Sequence, residues 1–297
     1  MPGVYRLFFS LVLTAFLGCS PPASSSDSVP KSPPQRIIST LPSITEVLFD
    51  IGLGDRIVGD STFTKYPPGA ARIDKIGGHL DTNREKIILL KPDLLILSTE
   101  NEALRRSLSV PVLVVNHQTL DGVLASYLVI GECFGQDILV AARKKQQELI
   151  EKLNAASVIP GKKPIRTLIC IDRSRGTGRI QNLFVAGRES FLNEVVARAG
   201  GKNVASSLGL LAPMLSAEGI INLAPDVIID LQVNGTDTAQ NVADWQSLGN
   251  SIPAVKNRRI LTLTEDFATI PGPRTPKLIE KIAQYYEELF APDVCEP

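Results

Sequence analysis

The sequence has few of the residues that bind bare metal ions. It contains two histidines, four cysteines and one tryptophan in 297 residues. Since no carboxylate cluster surrounds either histidine, a zinc or manganese site of the His/Asp/Glu type is disfavoured. The chain also lacks an excess of charge, because 31 Lys and Arg residues balance 31 Asp and Glu residues. This balance gives no reason to expect nucleic acid or an anionic membrane surface as a partner.

Several catalytic and nucleotide-binding motifs are missing as well. The sequence has no Gly-x-Ser-x-Gly elbow, no His-Glu-x-x-His pair and no dinucleotide fingerprint. Arg173, Arg175 and Arg179 surround Gly176-Thr177-Gly178, but this loop lacks the Gly-Lys-Ser/Thr of a phosphate loop. These absences disfavour a hydrolase and a nucleotide-binding protein, and we expect no resident cofactor. A secreted hydrolase is the alternative from a different class.

The first residues have the layout of an export signal. In residues 1–19 a positive charge precedes an apolar run that ends at Gly18-Cys19, and the run is too short to span a bilayer. Together with the Pro/Ser-rich tether of residues 20–35, this resembles a bacterial lipoprotein in which Cys19 carries the lipid. We expect a lipid-anchored protein on the periplasmic or cell-surface side of a bacterial membrane. The alternative is an ordinary cleaved signal with a fortuitous cysteine.

The remaining cysteines are Cys133, Cys170 and Cys295. In an exported protein an odd count leaves at least one thiol unpaired, and their spacing matches no metal motif. Cys133 lies in helical sequence and Cys170 in an apolar strand, so we expect buried thiols there.

An internal repeat organises the rest of the chain. Residues 85–96 and 218–229 align without a gap, and each copy reads Glu, Ile-Ile, Leu, Pro-Asp and a closing apolar run. Each copy predicts a short helix that stops near its proline and then a parallel strand buried on both faces. Two such units predict two similar lobes.

The surrounding pattern predicts an α/β fold with two βα lobes, whose mostly parallel sheets are joined by one long helix. We place the first lobe at residues 36–118, a bridging helical segment at 119–158 and the second lobe at 159–297. Within the bridge, residues 137–156 would form a helix of roughly 30 Å. A last amphipathic helix spans residues 275–290. The predicted helix caps are Ser43, Thr82 with Glu85, Ser190 and Ser216.

Several stretches then carry a family resemblance. The chain resembles the helical-backbone, or class III, periplasmic solute-binding proteins of ABC importers for cobalamin, ferric siderophores and haem. The matching stretches are Arg36–Glu46, Asp55–Gly59, Tyr66–Pro68, Ile76–Gly78, Asn83–Glu85 with Lys91–Asp93, Phe184–Ser190, Ala199–Gly201 and Pro271–Arg274.

The resemblance implies a monomeric, non-catalytic receptor of two lobes joined by one long helix. It would hold a metal chelate, such as a corrinoid, a ferric siderophore or haem, between its lobes. It would hand that cargo to a dimeric ABC permease with its ATPase, with the membrane contacted only through the lipid anchor. A chelate scavenger or sensor of the same fold without a permease is the alternative.

The resemblance also assigns roles to individual residues. Glu85 and Glu218 match the two acidic residues that meet arginines on the permease subunits. The alternative is that both are helix-start carboxylates favoured by the helix dipole.

The cleft residues implied by the resemblance follow strands of the two lobes. Three places that hold tryptophan in a cobalamin binder are occupied here by His79, Ser98 and Ala212. His79 could meet an open axial position on a chelated metal, or could simply bond to backbone or water. Arg175, with its neighbours in the arginine loop, could clamp an anionic siderophore or belong to a solvated hairpin. His117 is expected in a polar loop. The candidate ligand-binding set is Phe63, His79, Ser98, Arg175, Phe184, Asp266 and Phe267.

Overall fold

Strands and helices alternate through the computed structural model, which describes residues 32–78, 81–99, 101–158, 163–233 and 238–290. The strands are β1 (Ile37–Ser39), β2 (Ile57–Asp60), β3 (Asp74–Lys75), β4 (Leu94–Ser98), β5 (Val112–Val115), β6 (Ile165–Asp172), β7 (Leu183–Val185), β8 (Gly201–Asn203), β9 (Met214–Leu215), β10 (Val227–Leu231) and β11 (Ile260–Leu263). The helices are α1 (Pro42–Asp50), α2 (Arg84–Leu89), α3 (Glu102–Ser107), α4 (Leu120–Phe134), α5 (Gln136–Ala156), α6 (Phe191–Arg198), α7 (Ala217–Leu223), α8 (Thr238–Gln246), α9 (Pro253–Lys256) and α10 (Thr275–Phe290).

The first five strands form a parallel sheet in the order β3-β2-β1-β4-β5. Ile37 of β1 pairs with Ile57 of β2 on one side and with Leu94 of β4 on the other. The strand order therefore reverses beside β1. Open α/β sheets bind ligands at such a reversal, outside the carboxyl ends of the strands. The loop between β1 and α1 lies at this place in the first lobe.

The second sheet has the order β11-β10-β6-β7-β9, and β8 pairs with the beginning of β6. The pairs of β10 with β11, β10 with β6 and β6 with β8 are parallel. The pairs of β6 with β7 and β7 with β9 are antiparallel. Two mostly parallel sheets with helices between their strands confirm the predicted α/β fold.

The repeat found in the sequence has the predicted structure in both copies. Helices α2 and α7 end before Pro92 and Pro225, and every residue of the strands that follow, β4 and β10, is buried. Lys91 and Ala224 precede these prolines with positive φ angles of 46° and 42°. Such left-handed residues are uncommon outside glycine, so the two helices end in the same unusual way.

The likeness between the lobes extends to their first strands. The Arg36 side chain donates to the Leu90 carbonyl over 2.5 Å, and the Arg166 side chain donates to the Leu223 carbonyl over 2.6 Å. Leu90 directly follows α2 and Leu223 ends α7, and the two are separated in sequence by the same interval as Glu85 and Glu218. Each arginine thus supplies a donor to a carbonyl that no helical N–H reaches. Two lobes built on one plan follow from this correspondence.

The bridging segment consists of two helices instead of one continuous run. Gly135, with a φ of +96°, ends α4 and begins α5. The chain reverses there, because Gln146 donates to the Leu124 carbonyl over 2.9 Å. A Cβ added to Gly131 would lie 3.0 Å from the Ala142 Cβ, so glycine permits the close approach of the two helices. Helix α5 has 21 residues and confirms the prediction of one long backbone helix.

Among the residues that the structure describes, the buried apolar side chains form one inner and two outer clusters. Each outer cluster belongs to a single lobe, under α2 and α3 in the first and under α7, α8 and α9 in the second. The inner cluster is continuous through both lobes. It joins α1 and β4 of the first lobe, α4 and α5 of the bridge, and α6, β10 and α10 of the second lobe. The two sheets therefore share a core on the side where the long helix lies.

Two of the four predicted helix caps are wrong. Ser190 Oγ and Ser216 Oγ accept from backbone N–H groups as predicted. Helix α2 is instead capped by Asn83, while the Thr82 hydroxyl donates to the Gly78 carbonyl. Ser43 lies inside α1, which has no side-chain cap and begins with a proline, a residue that needs no N–H partner at that place.

Candidate ligand-binding site

A cleft between the lobes contains a cavity of about 420 Å³. Small-molecule sites span roughly 300–1,000 Å³, so this volume suits a ligand of that class. The walls come from loops at the carboxyl ends of strands in both sheets, where ligands of α/β proteins bind. The first lobe contributes Leu41, Pro42, Ser43, Phe63, Lys65 and His117, and the second contributes Val233, Asp266, Thr269, Ile270 and Pro271.

Ser43 and His117 form a buried polar contact in the first lobe's wall of the cavity. Only 4% of each residue is exposed. His117 Nδ1 lies 2.9 Å from Ser43 Oγ, and His117 Nε2 lies 2.8 Å from Ser126 Oγ in α4. Burial lowers the pKa of His117 to about 3, so the imidazole is neutral at physiological pH. His117 lies in the loop after β5, as expected, and the structure adds that it is buried in the wall of the cavity.

A charged network crosses the cleft beside the cavity. Arg274 of the second lobe donates to both carboxylate oxygens of Glu46 in α1, over 2.5 and 3.0 Å. The same guanidinium donates to both oxygens of Asp266, over 2.7 and 3.0 Å, and these hydrogen bonds hold the pKa of Asp266 below its usual range. The ring of Tyr66 stacks on it, with its centroid 4.4 Å from the Arg274 Cζ. These contacts connect the lobes at the edge of the cavity.

Three of the predicted ligand-binding residues lie at or beside the cavity. Phe63 and Asp266 line it, and 64% of Phe63 is exposed. Phe267 adjoins Asp266, packs against the inner cluster and has its ring centroid 5.7 Å from the Arg274 Cζ. One predicted residue of the first lobe and two of the second therefore lie at or beside this cavity.

Three other predicted residues lie away from this cavity. Ser98 is buried at the end of β4 and is not among the described residues that line the cavity. Phe184 is partly exposed in β7, opposite Met214 of β9. Arg175 is exposed, with its Nη2 3.7 Å from the Asp172 Oδ1. The seventh predicted residue, His79, lies outside the described residues, as do Cys19 and Cys295.

The arginine loop has an internal structural role. Arg173 is buried and donates to Asp244 over 2.7 Å and to Asp230 over 3.1 Å. The backbone N–H groups of Gly176 and Gly178 both donate to the Asp244 carboxylate over 2.9 Å. A carboxylate of the protein itself therefore occupies the anion-binding turn of this loop. Neither alternative considered for this loop, a ligand clamp or a solvated hairpin, describes Arg173, because its side chain is buried against Asp230 and Asp244.

The predicted docking carboxylates occupy equivalent positions. Glu85 is the second residue of α2 and Glu218 is the second residue of α7, and both side chains are exposed. Asn83 and Ser216 cap the two helices. Each lobe thus presents one exposed carboxylate in the first turn of its repeat helix.

The family assignment rests on a match over most of the chain. Residues 37–267 match the family described as periplasmic binding protein. The chain belongs to this family. The predicted resemblance is thereby confirmed.

Three known proteins illustrate the relationship of this periplasmic binding protein to others. YvrC of Bacillus subtilis, named as an uncharacterized ABC transporter substrate-binding lipoprotein, is 28% identical over 281 residues, which are 90% of this chain and 85% of the relative. A vitamin B12-binding protein of Vibrio campbellii is 27% identical over 279 residues, 89% and 93% of the two chains. The solved periplasmic heme-binding protein RhuT of Roseiflexus sp. RS-1 has a TM-score of 0.69 and 26% identity, covering 86% of this chain and 98% of its own.

Two further properties concern the described part of this binding protein. Its His, Cys, Asp and Glu side chains form no group of three or more that could hold a metal ion. Its helices include none with the length and apolarity to cross a membrane. Cys133 and Cys170 are free thiols, the first half-buried and the second buried, and burial raises the pKa of both.

Proposed function

We propose that the protein is the extracytoplasmic solute-binding component of an ABC importer and that its cargo is a metal chelate. The chelate is a corrinoid, a ferric siderophore or haem. The observation that carries this proposal is the cavity between two similar lobes in a member of the periplasmic binding protein family. Relatives named for vitamin B12 and for heme support the chemical class of the cargo.

The cavity wall supports a mixed apolar and polar cargo. Phe63 offers an exposed aromatic face at the rim, which suits a flat or aromatic ligand because it adds contact area at small entropic cost. Asp266 and Phe267 stand on the opposite lobe. We propose that a cargo larger than the cavity also reaches Phe184, Arg175 and His79, with His79 as an axial ligand of a chelated metal. Ser98 is only 1% exposed and is therefore left out of these proposed contacts.

Binding can be tested directly by isothermal titration with cyanocobalamin, haemin and a ferric hydroxamate such as ferrichrome. We expect submicromolar affinity for one of them and a loss of at least tenfold in the Phe63→Ala variant. Val140→Ala is the control, because Val140 is exposed on α5 and outside the cavity lining. Failure of all three chelates to bind would refute the proposed cargo class.

We propose that Glu85 and Glu218 dock the protein on a two-fold permease. Ile88 and Ile221 follow the two glutamates by three residues, share their helix faces and are exposed at 54% and 39%. Each lobe thus presents one carboxylate beside one apolar side chain. This surface suits a partner with two equivalent subunits, each offering an arginine beside an apolar pocket. Rim charges mainly set orientation and encounter rate, and the apolar residues would supply contact area.

An uptake assay tests this docking surface. The double variant Glu85→Ala with Glu218→Ala should lose uptake while its chelate affinity stays unchanged. The control is Glu132→Ala with Glu151→Ala, which removes the same charge from exposed positions on α4 and α5. Normal uptake by the first pair would argue against docking through these glutamates. If the wild type and all variants bind the chelate but none supports uptake, the alternative of a chelate scavenger or sensor without a permease would be favoured.

Anchoring through Cys19 is also a proposal. It is supported by the signal-like residues 1–19 and by a relative named as a lipoprotein. Metabolic labelling with a radioactive fatty acid should mark the wild type and leave Cys19→Ser unlabelled. Equal labelling of the wild type and of Cys19→Ser would contradict anchoring through Cys19. We propose that the anchored protein acts as a monomer.

The proposal includes the absence of catalysis. Ser43 and His117 have the contact expected of a nucleophile and a base, but the second ring nitrogen of His117 faces Ser126 instead of a carboxylate. An imidazolium formed there would have no counter-charge, so this pair is poorly suited to take a proton from Ser43. A fluorophosphonate probe should accordingly leave Ser43 unmodified.

A further inference from the structure

A chain of hydrogen bonds leads from the interior of α4 to the cavity. Ser126 Oγ lies 2.6 Å from the Val123 carbonyl oxygen and 2.8 Å from His117 Nε2. His117 Nδ1 lies 2.9 Å from Ser43 Oγ, and Ser43 lines the cavity. Each hydroxyl has one proton to donate, and the neutral imidazole has one more. The positions of these three protons decide what the cavity wall offers to a ligand.

The proton positions follow from the inner end of the chain. A carbonyl oxygen only accepts, and 2.6 Å is too short for two oxygens without a proton between them, so Ser126 donates to Val123. Ser126 Oγ must then accept from His117 Nε2, which carries the ring proton. Because burial lowers the pKa of His117 to about 3, Nδ1 carries no second proton at neutral pH. Ser43 therefore donates its proton to Nδ1.

We infer that Ser43 offers only acceptor lone pairs to the cavity and that this wall selects a cargo with a hydrogen-bond donor, such as a carboxamide N–H, over one with a carboxylate. The inference rests on the proposed function and narrows it toward carboxamide-bearing chelates of the corrinoid class. His117 and Ser126 are positioning residues, since they act on the cargo through Ser43. A carboxylate would place its own lone pairs against those of Ser43, and such a mismatch disfavours binding.

The charged groups of the cavity, Asp266 and Lys65, do not reverse this preference, and the Thr269 hydroxyl donates its proton to the Asp266 carbonyl. Asp266 on the opposite wall is a second acceptor, fixed by Arg274. Lys65 also lines the cavity, and its charge helps to lower the pKa of Asp266, so the two charges offset each other. A neutral donor therefore suits both walls.

The tautomer can be measured without any cargo. In protein labelled with ¹⁵N-histidine, long-range ¹H–¹⁵N NMR identifies which ring nitrogen carries the proton, and the His117→Gln variant assigns the signals because the chain has only two histidines. We expect a neutral His117 protonated on Nε2 in the wild type. In Ser126→Ala the constraint on Nε2 is gone, and both tautomers should appear. A His117 protonated on Nδ1 in the wild type would overturn the inference.

The selectivity is measured with a matched pair of probes. Cyanocobalamin is compared with its derivative in which one peripheral carboxamide is hydrolysed to a carboxylate. The wild type should bind the intact amide at least about tenfold more tightly, and Ser126→Ala should reduce this ratio to about threefold or less. The control is Ser107→Ala, since Ser107 makes a similar bond to a helix carbonyl over 2.8 Å but lies outside the cavity lining. It should keep the wild-type ratio.

The possible results separate this inference from the proposed function. Binding of both corrinoids without discrimination, or an unchanged ratio in Ser126→Ala, would refute the acceptor wall and leave the chelate-binding function intact. Failure of the wild type to bind corrinoid, haemin and ferric hydroxamate alike would refute the proposed function. In that case the NMR result still decides whether Ser43 presents an acceptor.

Discussion

Burial of the neutral His117 makes folding stability depend on pH in a predictable direction. In the unfolded chain this histidine has the ordinary pKa of 6.5, and in the folded protein burial lowers the pKa to about 3. Below pH 6.5 the unfolded state binds a proton that the folded state does not. The stabilising contribution is therefore complete above 6.5 and is lost as the pH falls toward the folded pKa.

The size of this effect follows from the two pKa values. Each pH unit between them changes the free energy of unfolding by about 1.4 kcal/mol. Between about pH 8 and about pH 5 the histidine alone should lower the stability by about 2 kcal/mol. Carboxylates titrate in the same range, so the wild type's own pH profile does not isolate this contribution.

Replacement of His117 by glutamine isolates the contribution of this histidine to the pH dependence of stability. A glutamine can hydrogen-bond to Ser43 and Ser126 without titrating, so the difference in stability between wild type and His117→Gln cancels the other groups. Urea unfolding, followed by circular dichroism, should show the wild type losing about 2 kcal/mol relative to the variant between about pH 8 and about pH 5. His79→Gln measures the contribution of the other histidine separately. A difference that stays constant with pH would refute the burial of a neutral His117.

Three further predictions concern stability and spectroscopy. Arg274→Ala leaves Glu46 buried without a partner and should cost about 3–5 kcal/mol of unfolding free energy in urea, whereas a double variant that also carries Glu46→Gln should recover part of that loss. Ala224→Gly relieves a left-handed residue and should stabilise the protein by up to about 1 kcal/mol, while the control Ala217→Gly at the start of the same helix should destabilise it. Trp245 is fully buried, so acrylamide should quench its fluorescence only when the protein unfolds, and quenching in the folded state would contradict its burial.

Local signals in the sequence were enough to predict the framework of the fold. The apolar runs after Pro92 and Pro225 identified β4 and β10, each an interior strand of its sheet, because an uninterrupted apolar run suits a strand covered on both faces. The amphipathic pattern of residues 275–290 predicted the last helix with the bounds Thr275–Phe290. These signals depend on residues close together in the chain.

The candidate site depended on partners that are far apart in the chain. Ser43 looked like a helix cap, but its hydroxyl contacts His117, 74 residues away. Arg173 looked like an exposed loop residue, and it is buried against Asp230 and Asp244, 57 and 71 residues away. No local pattern specifies such pairings. One signal was available for Ser43, because the loop after a first strand of an α/β sheet is a common place for ligands.

The inner cluster that joins both lobes limits how easily they can be pulled apart. Pulling the lobes apart would expose part of this shared apolar surface, at roughly 25 cal/mol for each Å². Exposure of about 200 Å² would already cost about 5 kcal/mol, which thermal motion supplies to only about one molecule in several thousand. An open form of this kind is therefore rare in the protein by itself. A partner that holds both lobes would raise its population only by binding the open form more tightly than the closed one.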